Sequence, residues 1–349
     1  MSERRIVKRR RRHAWFIALV LPLVLAALTS ACADENGASP SERTVTPIAS
    51  SALPVPAPVA VDISSNRIYV ASESPDTISV IDGATNAVVA TLPAGLFPHA
   101  IAIDSTSNRI YVASRRPELW VIDGTTNSVD ASIALDHSPI ALAVNPDAGR
   151  VYVADFEGTL SVIDGETNAE VATLPVGQDP VGIVANPRTN RVYVATYGSP
   201  EISVIDGESS TAIARVRAGD LPIALALNPQ TNRVYVADAA AGNVAVIDGS
   251  TNALIATAKV GGMPSSLSVN SATGRVYVAR ADSDVISILD GDSNDVAGAI
   301  AVGSSPRGLA VNSATHRIYV ARSSTADVIV IDGATNGIIA TVALAGAAD

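Results

Sequence analysis

Arg150-Val-Tyr-Val-Ala154, then Ser161-Val-Ile-Asp-Gly165, is the stretch that decides the fold, because the whole chain beats to it. Tyr-Val-Ala recurs at Tyr69, Tyr111, Tyr152, Tyr193, Tyr235, Tyr277 and Tyr319, at spacings of 42, 41, 41, 42, 42 and 42 residues. Asp-Gly keeps the same interval at Asp82, Asp123, Asp164, Asp206, Asp248, Asp290 and Asp332. Seven copies of a unit this long specify a ring or a solenoid rather than a domain of unique segments.

Working outward within the third copy, Ile140–Val144, Arg150–Ala154, Leu160–Ile163 and Glu170–Val176 are four short apolar runs separated by turn chemistry such as Asn145-Pro-Asp-Ala-Gly149. The runs are apolar at consecutive positions, so both faces of the sheet must be covered. Four-stranded blades packed face to face around an axis meet that demand, and the expected fold is all-β, a seven-bladed β-propeller of antiparallel four-stranded blades. A β-solenoid is the rival, but its coils are shorter and carry fewer strands. Each copy holds all four strands in order, so blade 7 closes on blade 1 without a swapped strand, and residues 44–53 are a candidate extra outer strand.

The repeat reads Pro-x-x-Leu-Ala-Val-Asn-Pro-x-Thr-Asn-Arg-Val-Tyr-Val, then Ser-Val-Ile-Asp-Gly-x-Thr-Asn, then Val-Ala-Thr-x-x-Val-Gly, from about Pro56 to Gly346. It resembles the YVTN family of bacterial and archaeal β-propellers. The eponymous tetrapeptide is altered: Ala replaces Thr in every copy, and Ser, Asp, Thr or Arg replaces Asn. The resemblance implies an exported seven-bladed propeller of the kind found in surface and periplasmic binding proteins. It implies no single activity, since function sits in sites grafted on the fold.

Residues 1–31 carry a basic head (Arg4, Arg5, Lys8 and Arg9 to Arg12) and an apolar stretch from Ala14 to Leu28 interrupted by Pro22, which reads as a signal peptide. Thr29-Ser30-Ala31-Cys32 then reads as a lipobox ending at the chain's single cysteine, with Thr29 where an aliphatic residue is usual. Lipidation at Cys32 is expected, against the alternative of an ordinary signal peptide with an incidental cysteine. The paired arginines raise a twin-arginine route, but no full motif abuts the apolar core. Residues 32–53 form a Ser/Pro/Ala-rich tether, and 54–349 the propeller.

Loss of the leader leaves 17 basic and 33 acidic residues, so net charge moves from −10 to −16. That balance disfavours nucleic acid and anionic membranes as direct partners. The expected product is exported and lipid-anchored in the cell envelope, in the outer membrane if the cell has two because Ala33 follows the cysteine, and monomeric.

Positions that repeat across all blades read as architecture. The Asp and Asn side chains of the two recurring turns are expected to bond nearby backbone, the glycine of Asp-Gly to take the φ > 0 position, and each tyrosine to pack with a satisfied hydroxyl. Function is sought where the pattern breaks. The residue after Tyr-Val-Ala is Ser72, Ser114, Asp155, Thr196, Asp238, Arg280 and Arg322 in turn. The residue after the proline opening the innermost strand is His99, Ile140, Val181, Ile223, Ser265 and Arg307 from blade 2 onward. Both series turn polar or basic on blades 6, 7 and 2, and Arg115 and Arg116 add to that arc. Blades 3 to 5 supply Asp155, Phe156, Glu157, Asp179, Tyr197, Glu201, Asp220 and Asp238.

A lopsided channel mouth is therefore expected, guanidinium on one side and carboxylate with aromatic rings on the other. The candidate ligand-binding residues are His99, Arg115, Arg116, Phe156, Tyr197, Arg280, Arg307 and Arg322, and the candidate occupants a small anionic ligand, a glycan or a protein partner. Solvated loop charges pairing with each other are the competing reading.

No cofactor or metal is expected. His99, His137 and His316 have no metal-ligand spacing, and Asp290-Gly-Asp292-Ser-Asn294-Asp295 lacks the glycine and glutamate of a calcium loop. No nucleophile elbow or P-loop occurs, and no catalytic set is assigned. The leading reading is a non-catalytic binding module. The alternatives are a propeller lyase or hydrolase using His99 or His137, and a nucleic-acid-binding propeller, an activity known for a related periplasmic propeller.

Overall fold

The computed structural model describes residues 56–73, 75–303 and 306–344, all within the unit spanning 51–349. The leader at 1–31, Cys32, the tether and the candidate extra strand at 44–53 lie outside the described residues. Blade 3 shows how the repeat folds: Pro139–Asn145, Arg150–Asp155, Thr159–Asp164 and Glu170–Pro175 are antiparallel strands in simple up-and-down order. Tyr152 pairs with Ala143 on one side and Val162 on the other, and a bulge at Val162/Ile163 twists the outer edge.

Six further sheets repeat this order over 56–93, 100–134, 180–217, 222–259, 264–301 and 306–343. The second and third strands are buried at consecutive positions, as expected for sheets covered on both faces, while the fourth is a mostly exposed edge. Each innermost strand packs on that of the next blade, and the innermost strand of blade 7 returns to that of blade 1. Tyr319, Val328 and Val330 pack there on Ile68, Val70 and Ile81, closing the ring without a strand exchange.

Three polar devices hold the seams between blades. First, the arginine preceding each Val/Ile-Tyr-Val-Ala donates to the carbonyl of the Asp-Gly glycine one blade on: Arg67 to Gly124 O at 2.5 Å, Arg191 to Gly249 O and Arg275 to Gly333 O at 2.9 Å, with Arg109, Arg233 and Arg317 reaching Gly165, Gly291 and Gly83 in the same way. Arg150 is the exception. It pairs with Asp164 of its own blade at 2.6 Å, beside a cavity of about 460 Å³ at the blade 3–4 seam lined by Arg150, Asn190, Glu208 and Ser210.

Second, the tyrosine hydroxyls reach across the seams. Tyr193 donates to Asn252 Oδ1 at 3.0 Å, and Tyr111 and Tyr235 approach Gly165 O and Gly291 O at 3.4 and 3.5 Å. The hydroxyls of Tyr69, Tyr152, Tyr277 and Tyr319 are buried and make no hydrogen bond of normal geometry, with the Arg67, Arg275 and Arg317 guanidiniums beside three of them, so the expectation that every one is satisfied is corrected.

Third, the asparagine ending the innermost strand bridges to the next blade: Asn145 Nδ2 to Asn190 Oδ1 at 2.9 Å, Asn186 to Asn232 at 2.7 Å, Asn312 to Asn66 at 2.8 Å, and Asn270 Nδ2 to His316 Nδ1 at 3.2 Å. At the blade 5–6 seam the receiving position is Gly274, and Asn228 Nδ2 is left buried with no partner. Gly274 has φ +73°, which Asn tolerates, and nothing lies within 4 Å of where its Cβ would sit. Gly274→Asn should therefore stabilise the propeller by about 1–2 kcal/mol in urea unfolding, the cost of one orphaned buried donor. Gly274→Ala supplies no acceptor and should not stabilise; equal effects from the two substitutions would refute the account.

The Asp-Gly glycines correct a second expectation. None has positive φ; the left-handed residue of that turn is Asn86, Asn127, Asn168, Ser210, Asn252, Asn294 or Asn336, at φ 52–62°. Glycine is needed because the two turns of a blade touch. Gly83 N donates to Asn66 O at 2.8 Å, and a Cβ on Gly83 would lie 2.7 Å from that oxygen. The aspartates are structural as read: Asp82 Oδ1 accepts Ala84 N at 2.9 Å and Thr85 N at 2.8 Å. These bonds to the ionised form hold the Asp82 carboxyl below its ordinary pKa.

Candidate functional site

The variable loops gather on the face opposite those turns. The loop between the second and third strands bonds to the connection arriving from the preceding blade: Arg115 N to Leu96 O at 2.8 Å, Tyr197 N to Asp179 O at 2.8 Å, Ala239 N to Leu221 O at 3.0 Å and Ala281 N to Met263 O at 2.8 Å. Backbone bonding thus ties the two sets of pattern-breaking residues into one surface around the ring.

Within this surface a cleft of about 330 Å³ opens among the innermost strands of blades 6, 7, 1 and 2. His99 and Arg307 both line it, brought together from blades 2 and 7 by the closure of the ring, along with Ser265, Ser266 and Glu73. The position after the proline thus faces the axis; its counterparts in blades 3 to 5 are Ile140, Val181 and Ile223, which leave that arc aliphatic. Arg307 is exposed, and among the described residues it has no hydrogen-bond or ion-pair partner.

His99 is half-buried, its Nε2 has no partner, and its ring meets Phe156 edge-on at 6.0 Å between centroids with the planes at 83°. Burial, then the nearby Arg115 guanidinium, hold its pKa below the ordinary histidine value, so the imidazole is neutral at pH 7. Burial raises the Glu73 carboxyl, Arg307 and Arg115 oppose that rise, and Asp76 adds to it. Arg115 lies over the Phe97 ring, 5.4 Å from its centroid. Phe97 itself sits at φ +51° with its amide held by Asp76 Oδ1 at 2.9 Å, a costly conformation for an aromatic residue.

Several candidates do other work. Arg322 is committed to Asp327 through Nε at 2.7 Å and through Nη2, and to Val302 O at 3.1 Å. Arg280 donates to Ser283 Oγ at 3.0 Å and approaches Val260 O at 3.4 Å. Neither lines the cleft, so the expectation that these two converge there with His99 and Arg307 is corrected: both brace the loop they stand on. Arg116 does not line the cleft, and Tyr197 is an exposed ring, 47 % accessible, away from its lining.

Two of the carboxylates of blades 3 to 5 are also braces. Asp238 accepts Asp220 N at 3.0 Å and Leu221 N at 2.9 Å, and Asp155 accepts Thr159 N at 2.9 Å while its other oxygen lies 3.3 Å from His137 Nδ1. The expected separation of guanidinium from carboxylate and aromatic groups therefore does not hold, since Glu73, Phe97 and Phe156 all belong to the neighbourhood of His99 and Arg115. Glu73 is the residue the sequence reading missed. Its signal was the second position after Tyr-Val-Ala, which holds Glu73, Arg115, Phe156 and Tyr197 in blades 1 to 4 and only Ala239, Ala281 and Ser323 thereafter.

No protein-family model matches the chain, and a search of curated protein sequences finds no match. Among solved structures it is similar to a chain of Kuenenia stuttgartiensis hydrazine synthase, with a TM-score of 0.73 and 17% identity over 84% of this chain and 99% of that one. It is also similar to the RRP9 WD40 repeats (TM-score 0.70, 13% identity, 77% of this chain and 88% of that chain). U3-55K gives a TM-score of 0.68 at 14% identity, over 77% of this chain and 89% of that chain. At these identities the likeness shows the β-propeller fold alone, and the chemistry of the mouth has to be argued from its own residues.

Proposed function

We propose that this chain is a YVTN-type, exported and lipid-anchored propeller whose channel mouth binds a small ligand through an anionic group. The observation that carries the reading is Arg307, an uncommitted guanidinium in a cleft, on a chain that is acidic overall. Guanidinium forks suit carboxylate or phosphate, and fixed positive charge in a concave site raises the local concentration of anions. The cleft is near the lower end of ligand-pocket volumes, about 300–1,000 Å³, which favours a small molecule over a glycan chain or a protein segment. Nucleic acid fits poorly with the net charge.

Titrating acetate, 4-methylpentanoate and inorganic phosphate into the full chain by calorimetry tests this. At least one should bind, and Arg307→Ala should weaken it about tenfold or more, the order of one charge-assisted contact. Stability should change by less than about 1 kcal/mol, since Arg307 is exposed and unpaired. Retained affinity in Arg307→Ala would end the reading. The anchor is tested separately: Cys32→Ser should move the protein from the membrane fraction to the soluble fraction without shifting its melting curve, and equal membrane retention would count against lipidation.

One arrangement favours a second, catalytic reading. A neutral His99 with an unpartnered Nε2 shares its cleft with Glu73 and Arg307, groups able to move a proton and steady an anion. Under that reading His99→Ala loses turnover of a bound ligand while binding persists; under the binding reading no turnover exists to lose.

A further inference from the structure

The cleft holds a carboxyl and a guanidinium that feel each other's charge without closing into an ion pair. Glu73 and Arg307 both line it, yet no ion pair joins them, and among the described residues neither side chain has a hydrogen-bond partner. The neighbouring mouth charges are spent differently: Arg322 on Asp327, Arg280 on Ser283, Arg217 on Asp220, His137 on Asp155, and Arg115 over Phe97. Arg116, Glu157, Asp179 and Glu201 on this face likewise have no side-chain partner among the described residues, but only Glu73 and Arg307 share the cleft.

A purely anionic ligand would satisfy Arg307 and leave Glu73 facing like charge. A purely cationic one would satisfy Glu73 and leave Arg307, with Arg115 nearby, unmatched. Only a ligand bearing both signs answers both residues, and a charge placed in a concave, partly desolvated site is felt more strongly than one in water. His99 contributes no third charge, only a ring nitrogen able to hydrogen-bond. Pro58, Val59 and Leu309 supply the apolar part of the lining, a surface suited to an apolar side chain.

Resting on the anion-binding reading above, we propose that the mouth binds a small zwitterion of the α-amino-acid type, its carboxylate on Arg307 and its ammonium on Glu73. The cleft volume of about 330 Å³ accommodates such a molecule with an aliphatic side chain.

The test compares L-leucine with 4-methylpentanoate, the same skeleton without the ammonium, and with 3-methylbutylamine, the skeleton without the carboxylate, by calorimetry on the full chain. L-leucine should bind at least about tenfold more tightly than 4-methylpentanoate, the value of one added charge-assisted contact. Glu73→Gln should erase that difference without weakening 4-methylpentanoate, since it removes a like charge from the carboxylate's neighbourhood, and Arg307→Ala should abolish binding of both acids. Equal affinity of the two acids for the unmodified chain overturns the zwitterion and leaves the anion site standing. Tighter binding of 3-methylbutylamine than of L-leucine overturns the assignment to Arg307 and the anion site with it. L-leucine affinity insensitive to Glu73→Gln overturns the role of Glu73, and failure of all three to bind overturns the zwitterion, while acetate and phosphate decide the anion site.

Discussion

Excision of one whole repeat, residues 180–221, is expected to abolish the native fold rather than give a six-bladed ring. The cut removes blade 4 and leaves the faces of blades 3 and 5 without their partners. Tyr152, Leu160, Val162, Leu174 and Val176 lose the wall formed by Val192, Val194 and Ile205, and Val234, Val236 and Ile247 lose Tyr193, Ile202 and Val204. Burying a large apolar side chain is worth about 1.5–3 kcal/mol. Even half-exposing these eight costs about 6–12 kcal/mol on that scale, comparable to the whole net stability of about 5–15 kcal/mol. Reclosure would require every remaining seam to open its angle, breaking bonds such as Asn312 to Asn66 at 2.8 Å. Near-ultraviolet dichroism and scanning calorimetry check this. A cooperative transition within a few degrees of the parent's would refute it.

Gly249→Ala should cost about 2–4 kcal/mol in urea unfolding, although Gly249 has no positive φ and Ala is conformationally acceptable there. The added Cβ would stand 2.7 Å from Asn186 Nδ2 and 2.9 Å from Asn232 O. Relief of that contact must displace the Asn186–Asn232 bridge, the Gly249 N to Asn232 O bond at 2.8 Å, and the Gly249 carbonyl that accepts Arg191 at 2.9 Å. One methyl group thus disturbs both the asparagine and the arginine devices of the blade 4–5 seam. Gly149→Ala is the contrast: φ is +60° and no atom lies within 4 Å of the new Cβ, so only the left-handed backbone opposes it, about 1–2 kcal/mol. A Gly249→Ala cost below about 0.5 kcal/mol would show that the turns yield without consequence.

What the sequence by itself determined is the local and the repeated. Strand limits in blade 3 fall within one residue of the structure, and the number of blades, their strand order and the place of closure follow from six spacings and the turn residues between them. These are properties of a residue and its near neighbours, and seven copies report each of them seven times. The two series of pattern-breaking positions also located the mouth and two members of its cleft, His99 and Arg307, because equivalent sites in successive blades face the axis alike.

Only the tertiary structure decided which charges are free. Arg322 and Arg307 look equivalent in sequence, yet the path of the blade 7 loop sets Asp327 against Arg322, whereas Arg307 has no hydrogen-bond or ion-pair partner among the described residues. Phe156 lies by sequence on the far arc but meets His99, and Glu73 enters the cleft from a blade whose loop gave no basic signal. The Asp-Gly glycines are needed for a contact between two turns, and Asn228 is stranded by a glycine 46 positions further on. In each case the deciding partner stands on another loop or another blade. Local chemistry dictates how a strand turns, but whether a side chain is spent or available depends on what closure of the ring brings within about 3 Å of it.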